Sequence, residues 1–183
     1  MTSNQYDLGE IETRDRLVKP VQHKSVRVAG QKETHMKAIV LHQYGSPDVL
    51  NLEEVQKPTP KYNEVLVKVH AASVNAGDWH LMRGDPFLIR LGEGLRKPKT
   101  KILGADIAGT VEAVGHNVTQ FQLGNEVFGD ISAHGFGAFA EYVAVPEDAI
   151  VLKPANSTFE QAAAVPAAAL TALQGLRDHG QIQ

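Results

Sequence analysis

The sequence of 183 residues has room for one sizeable domain with a tail, but not comfortably for two domains. Its hydrophobic share of 43%, charged share of 21% and formal net charge of -3 are those of an ordinary globular protein, and they give no electrostatic case for binding nucleic acid or an anionic membrane. The absence of cysteine excludes disulfides, thiol catalysis and thiolate metal sites, which leaves any metal to eight scattered histidines and to carboxylates.

Residues 1–35 form a segment that differs from the rest of the chain. They are polar and mixed in charge, and they show neither strand nor helix periodicity. Met1–Asp15 lacks the apolar core of a signal peptide, and its acidic residues argue against an organellar transit peptide. We therefore predict a flexible N-terminal extension on a cytoplasmic protein, followed by one folded domain over residues 36–183.

Short strands separated by turn residues dominate the sequence after the extension. Four stretches have strand patterns: 36–41, 64–71, 107–114 and 139–145. In the second stretch, Val65, Val67 and Val69 alternate with polar residues and share one face. Several short strands with Gly-rich turns predict a mainly β domain, a small β-barrel, rather than alternating strands and helices.

Helix signals are concentrated near the end of the chain. Ser157 and Glu160 have the spacing of a capping box, which predicts a helix that begins after Ser157. Pro166 suits the first turn of a second helix, predicted over residues 167–178. Because the chain stops three residues after Gly180, we interpret it as truncated before a further domain.

Residues 135–140 have the spacing of a dinucleotide-binding glycine motif. In that role the glycines follow a strand and open a helix, whose N-terminus then binds the pyrophosphate. Here the following residues, 139–145, have a strand pattern instead. We therefore interpret the segment as a turn between strands and expect the nucleotide-binding domain to be absent.

Six segments carry a family resemblance: 36–40, 74–80, 103–109, 124–129, 137–142 and 162–176. In this order and spacing they resemble the GroES-like catalytic domain of the medium-chain dehydrogenase/reductases. They are most similar to its branch of quinone oxidoreductases and zinc-free alcohol dehydrogenase-like proteins. The resemblance implies a GroES-like, partly open β-barrel with a few helices, truncated before a Rossmann domain.

The resemblance also implies the absence of zinc. The ligands of zinc-dependent relatives fall on Asn75, Ala105 and Ala167, and the cysteines of their structural zinc lobe are missing. An asparagine and two alanines cannot form a tetrahedral site of nitrogen and sulfur ligands. We therefore expect no metal site, so that a substrate oxygen would have to be polarised by hydrogen-bond donors.

Three residues are candidates for the chemistry that the resemblance implies. Asn75 matches the asparagine that faces the nicotinamide and the reacting atom in zinc-free relatives, although it could also only cap a short helix over residues 76–83. His80 matches a proton-relay position, and a structural histidine is the alternative. Thr171 matches the threonine that contacts the nicotinamide carboxamide, although a threonine within a helix commonly bonds its own backbone.

Two further features have weaker interpretations. Asp106 stands where the family has a glutamate, and we interpret it as a structural acid buried behind the pocket. Residues 87–95 contain apolar side chains among glycines, which is typical of a mobile flap over a pocket.

The resemblance implies a parent enzyme that transfers hydride from NADPH, or from NADH, to a quinone, an enone or a related carbonyl compound. Its partners would be that cofactor and a small-molecule substrate, and the sequence leaves open whether the chain forms a homodimer. The isolated chain is expected to be inactive without a cofactor domain. The alternative function is a non-catalytic GroES-like binding module.

Overall fold

The computed structural model describes residues 34–182, so most of the predicted extension lies outside the described residues. The described part contains seven strands: β1 (His35–Leu41), β2 (Leu50–Gln56), β3 (Glu64–Ser73), β4 (Asp106–Val114), β5 (Glu126–Asp130), β6 (Tyr142–Pro146) and β7 (Val151–Leu152). It also contains four α-helices: α1 (Ala76–Arg83), α2 (Ile89–Glu93), α3 (Phe159–Ala163) and α4 (Pro166–Leu173). The prediction of a mainly β domain with a few helices is confirmed.

The strands form two antiparallel sheets. β1 pairs with β2, and the other five strands are ordered β6-β3-β4-β5-β7. Single bridges join Ala38 to Ala140 and Val40 to Ile102, so β1 is also connected to segments outside its own sheet. Two open sheets joined in this way form the expected partly open, GroES-like barrel.

β3 is covered on both faces. Val65 and Val67 are fully buried in the main core, as their alternation predicts, together with side chains of β4, β5 and β6. On the opposite face Leu66 is also buried, because Met36 of β1 and Val55 of β2 pack against it. β3 and its neighbour β4 are therefore firmly held, and their ends can position side chains accurately.

The predicted capping box of α3 is wrong by one residue. Thr158, not Ser157, is the N-cap, and its hydroxyl accepts a hydrogen bond from the Gln161 backbone N–H at 3.2 Å. The Gln161 side chain completes the box by accepting from the Thr158 N–H at 3.0 Å. The Ser157 hydroxyl donates instead to the Pro154 carbonyl. Both frames fit the pattern, and the backbone hydrogen bonds of the preceding turn decide between them.

The predicted second helix begins at Pro166, as its first-turn proline indicates. It is α-helical to Leu173 and continues as a π-helical turn over Gln174–His179. The predicted turn at residues 135–140 is also confirmed, because β6 follows it and no helix does. None of the described helices is long and apolar enough to cross a membrane.

Candidate active site

Asn75 is the N-cap of helix α1, two residues after the end of β3. The Asn75 backbone N–H donates to the Asp78 carboxylate at 2.9 Å, which forms one half of a capping box. Gly84 ends the helix in the left-handed conformation, with a φ of 60°. The short helix predicted over residues 76–83 is therefore present, and Asn75 lies at its N-terminus.

The Asn75 side chain is held by the strands behind it. Its amide nitrogen donates to the Asp106 carboxylate at 3.1 Å and to the Ser73 hydroxyl at 3.2 Å. An amide nitrogen has two hydrogens, so both are engaged. The Asn75 carbonyl oxygen faces the Asp78 backbone N–H as the second half of the capping box, and its remaining lone pair is the group that Asn75 can still offer to a ligand. Asn75 is thus suited to bind a donor such as a carboxamide NH₂ rather than to polarise a substrate oxygen.

Asp106 joins three elements at one buried point. Its side chain is completely buried and accepts from the Ser73 hydroxyl at 2.9 Å and from Asn75. It also accepts from the backbone N–H of Ala167, in the first turn of α4, at 3.1 Å. The first N–H groups of a helix have no partner within the helix, and a carboxylate is favourable there. The interpretation of Asp106 as a buried structural acid is confirmed. Its partners lie at the end of β3, at the N-cap of α1 and in the first turn of α4.

Asp106 also brings together the positions at which zinc-dependent relatives have their ligands. Asn75 and Ala167 both bond to Asp106, and Ala105 precedes it in the chain. These positions supply one amide and two methyl groups, a donor set that does not fit zinc. In the described range, no three histidine, aspartate or glutamate side chains are grouped closely enough to hold a metal ion.

Asp78 is a second buried carboxylate, which the sequence did not indicate. Its two oxygens accept from the backbone N–H groups of Asn75 and Gly104, each at 2.9 Å. Gly104 has a φ of 97°, and a Cβ there would lie 2.7 Å from the Ala138 side chain, so this position requires glycine. The glycine after Leu103 could have indicated the turn, but no spacing rule connects it with Asp78.

Burial raises the pKa of Asp78 above the ordinary Asp value. The hydrogen bonds from Asn75 and Gly104 oppose this shift, whereas the charges of Asp106 and Asp130 increase it. The site therefore contains carboxylates that lie close together with little solvent. Burial, and to a smaller extent repulsion from Asp106 and Asp130, disfavours the charged form of Asp78 and so raises its pKa.

We expect the stability of the wild type, relative to an Asp78→Asn variant, to fall as pH rises. A carboxyl with a raised pKa in the folded state binds its proton more tightly there than in the unfolded chain. Its contribution to stability is therefore greatest at acidic pH and is lost as pH rises through the raised value. Urea unfolding of both proteins from about pH 4 to about pH 7 measures this difference. A wild-type advantage that grew with pH would contradict the assignment.

His80 lies on α1, further along the helix than Asn75. Its Nδ1 is 2.6 Å from the carbonyl oxygen of Asp85, so Nδ1 carries a hydrogen and Nε2 is the acceptor in the neutral ring. The ring packs edge-on against Trp79, with 4.8 Å between the ring centroids, and is half-buried. This arrangement fixes the ring and leaves Nε2 as the nitrogen that can exchange a proton.

Thr171 is exposed on α4, one turn beyond the residue that Asp106 holds. The neighbouring Leu170 and Leu173 line an apolar groove of about 460 Å³ between α4 and the β5 and β7 edge. The structure thus brings Ser73, Asn75 and Asp106 into direct contact, whereas His80 bonds to Asp85 and Thr171 faces solvent.

Residues 61–155 match the family model described as the alcohol dehydrogenase GroES-like domain. The chain is 40% identical over 156 residues to a 2-methylene-furan-3-one reductase from Solanum lycopersicum, covering 80% of this chain and 38% of the reductase. It is 38% identical over 148 residues to a chloroplastic NADPH-dependent alkenal/one oxidoreductase from Arabidopsis thaliana, covering 77% of this chain and 37% of that protein.

Among solved structures, the quinone oxidoreductase from Coxiella burnetii is similar, with a TM-score of 0.71 and 38% sequence identity. The match covers 79% of this chain and 45% of that one. The chain spans about two fifths of the length of the curated relatives to which it is similar.

Proposed function

The chain belongs to the alcohol dehydrogenase GroES-like domain family, in its quinone oxidoreductase-like branch, and we propose that it is the substrate-side domain of a zinc-free, NADPH-dependent oxidoreductase. Its substrates would be enones, quinones or related activated carbonyl compounds, and NADH is the less favoured cofactor. The observation that carries this proposal is the buried Asp106 cluster, in which an amide occupies a position that a thiolate would need in a zinc enzyme. The activities for which the similar proteins are named support the substrate class.

The nicotinamide cofactor would supply a hydride to the substrate. In our proposal the Asn75 carbonyl oxygen accepts a hydrogen bond from the cofactor's carboxamide, while Asp106 keeps the Asn75 side chain in one orientation. Thr171 provides a hydroxyl on the exposed face of α4 for the same carboxamide. Because Asp106 bonds both Asn75 and the start of α4, it sets the relative placement of these two groups.

His80 completes the proposed reaction as a proton donor. The bond from Nδ1 to the Asp85 carbonyl fixes the ring, so Nε2 is the atom that delivers a proton to the reduced substrate. The protonated ring would retain this bond, because Nδ1 carries a hydrogen in both states. Proton delivery therefore requires no reorganisation of the ring.

A chimera tests the proposal. We expect that joining this chain to the nucleotide-binding region of the Solanum lycopersicum reductase yields a protein that oxidises NADPH only when an enone or quinone is present. The activity should survive prolonged dialysis against a chelator, since the site residues do not fit zinc. The nucleotide-binding region alone is the control. A folded chimera that binds NADPH but reduces neither substrate class would refute the proposed function, and loss of activity to the chelator would refute its zinc independence.

A further inference from the structure

Four large apolar side chains are exposed together on and around α2. Phe87, Leu88, Leu91 and Leu95 are 61%, 72%, 62% and 58% exposed, respectively. Phe87 and Leu88 lie four and three positions before Leu91 on the same helical turns and share a face with it, whereas Leu95 extends the exposed apolar run just beyond the end of the helix at Gly94. We call them the α2 patch. Apolar groups that cluster on a surface commonly mark a binding site.

The segment beneath the α2 patch is held to the body of the protein. Arg90 donates to the carbonyls of Gly84 and Arg83 at 2.9 and 3.2 Å, and its guanidinium lies 4.6 Å from the centre of the Tyr44 ring. The Tyr44 hydroxyl donates to the Gly94 carbonyl at 2.8 Å. These bonds attach the polar side of the segment to the rest of the domain and leave its apolar side facing solvent. The exposed patch is therefore held in a fixed place on the surface.

Residues 83–101, the segment that contains the α2 patch, are strongly basic. They contain six cations and two acids: Arg83, Arg90, Arg96, Lys97, Lys99 and Lys101, with Asp85 and Glu93. Six minus two gives a net charge of +4, whereas the whole chain has -3, so the remaining residues carry -7. The net charge of the whole chain gave no case for membrane binding, because it sums this basic segment with the acidic remainder.

The combination of exposed apolar side chains and cations indicates what kind of surface binds the α2 patch. Cores of protein interfaces are poor in lysine, whereas interfacial membrane segments combine leucine and phenylalanine with lysine and arginine. Two copies of this chain that met through the patch would bring together two segments of +4, which repel each other. An anionic lipid surface satisfies both the charge and the apolar side chains.

We propose that residues 83–101 dock the protein on an anionic membrane surface. The α2 patch inserts at the boundary between headgroups and acyl chains, and the exposed cations next to Leu95, Arg96 and Lys97, lie against the anionic headgroups. This docking lies on the surface and does not cross the bilayer. Neither the patch nor its cations belong to the Asp106 cluster. The segment also includes Asp85, whose carbonyl oxygen holds His80, so the variants that test the docking leave Asp85 unchanged.

Co-sedimentation of the full chain with lipid vesicles tests the proposal. We expect binding to vesicles of phosphatidylcholine with roughly one-third phosphatidylserine, and at least about tenfold weaker binding to phosphatidylcholine alone. The double variant Leu88→Ser/Leu91→Ser should weaken binding to the anionic vesicles by about tenfold or more, because two inserted side chains are lost. Arg96→Glu/Lys97→Glu should have an effect of similar size.

Matched variants elsewhere on the surface serve as controls. Leu52 and Leu123 are 71% and 67% exposed, so Leu52→Ser/Leu123→Ser removes two equally exposed leucines outside the patch. Lys37→Glu/Lys68→Glu reverses two exposed charges outside the basic segment. Both control proteins should bind as the wild type does, and circular dichroism checks that every variant is folded.

Three results would overturn the proposal. The first is equal binding to neutral and anionic vesicles. The second is equal loss of binding in the patch variants and the controls. The third is a concentration-dependent dimer in light scattering that Leu88→Ser/Leu91→Ser abolishes, together with no vesicle binding by the wild type, which would assign the patch to a second copy of the chain.

Discussion

Replacing Asp106 with alanine should lower the free energy of unfolding by about 3 kcal/mol or more, because three hydrogen-bond donors lose their acceptor in a buried place. These donors are the Ser73 hydroxyl, the Asn75 amide and the Ala167 backbone N–H. Each buried donor without a partner costs about 1 to 3 kcal/mol, and entry of water would offset part of the sum. Urea unfolding followed by circular dichroism measures the loss.

Two further variants separate this role from general damage to the core. Ser73→Ala removes the bond from Ser73 to Asp106 and the bond from the Asn75 amide to Ser73, but it leaves Asp106 with Asn75 and Ala167, so it should cost only about 1 to 2 kcal/mol. Asp106→Asn retains one accepting oxygen and should lie between the two. Hydrogen exchange of the Ala167 amide should accelerate in Asp106→Ala, since its acceptor is lost. Equal costs for Asp106→Ala and Ser73→Ala would contradict the assignment of Asp106 as the junction of β3, α1 and α4.

In the chimera described above, Asn75→Ala should lower kcat/KM by about 100-fold. A misplacement of the reacting groups by about 1 Å can cost this much, and Asn75 both contacts the cofactor in our proposal and is oriented by Asp106. Asn75→Asp should be at least as harmful, because its carboxylate would face the Asp106 carboxylate at the place where the amide nitrogen now lies 3.1 Å away. Initial rates over a range of enone concentrations measure the change.

A helix-capping role alone predicts a different result for the same variants. Aspartate caps helices as well as asparagine does, so Asn75→Asp would retain activity, and Asn75→Ala would lose only about 1 kcal/mol of stability. Ser73→Ala is a graded control: it removes the bond from the Asn75 amide to Ser73 but keeps its bond to Asp106, so kcat/KM should fall far less than in Asn75→Ala. Near-parental turnover in both Asn75 variants would contradict the proposed cofactor contact.

Four of the seven described strands and the helices α1, α3 and α4 could be predicted from the sequence because their signals are local, whereas β2, β5, β7 and α2 were missed. Alternation placed Val65 and Val67 inside, and the strand pattern of residues 139–145 excluded a helix after the glycines at 135 and 137. The position of Asn75 at the start of α1 also follows from the residues around it. The capping frame of α3 was missed by one residue, since Ser157 and Thr158 both fit the pattern and only the preceding turn distinguishes them.

The sequence by itself determined the fold class, the absence of thiolate ligands and the positions that carry the family resemblance. The tertiary structure decided what those positions do. Asp106 and Ala167 are 61 residues apart, and their bond depends on how α4 packs against the end of β4. The neighbouring bonds to Asp106 and Ser73 engage both hydrogens of the Asn75 amide, and the packing of the chain leaves the apolar side chains of the α2 patch exposed. Periodicity reports which face of an element is apolar, but contacts between distant elements arise only when the sheets and helices pack together.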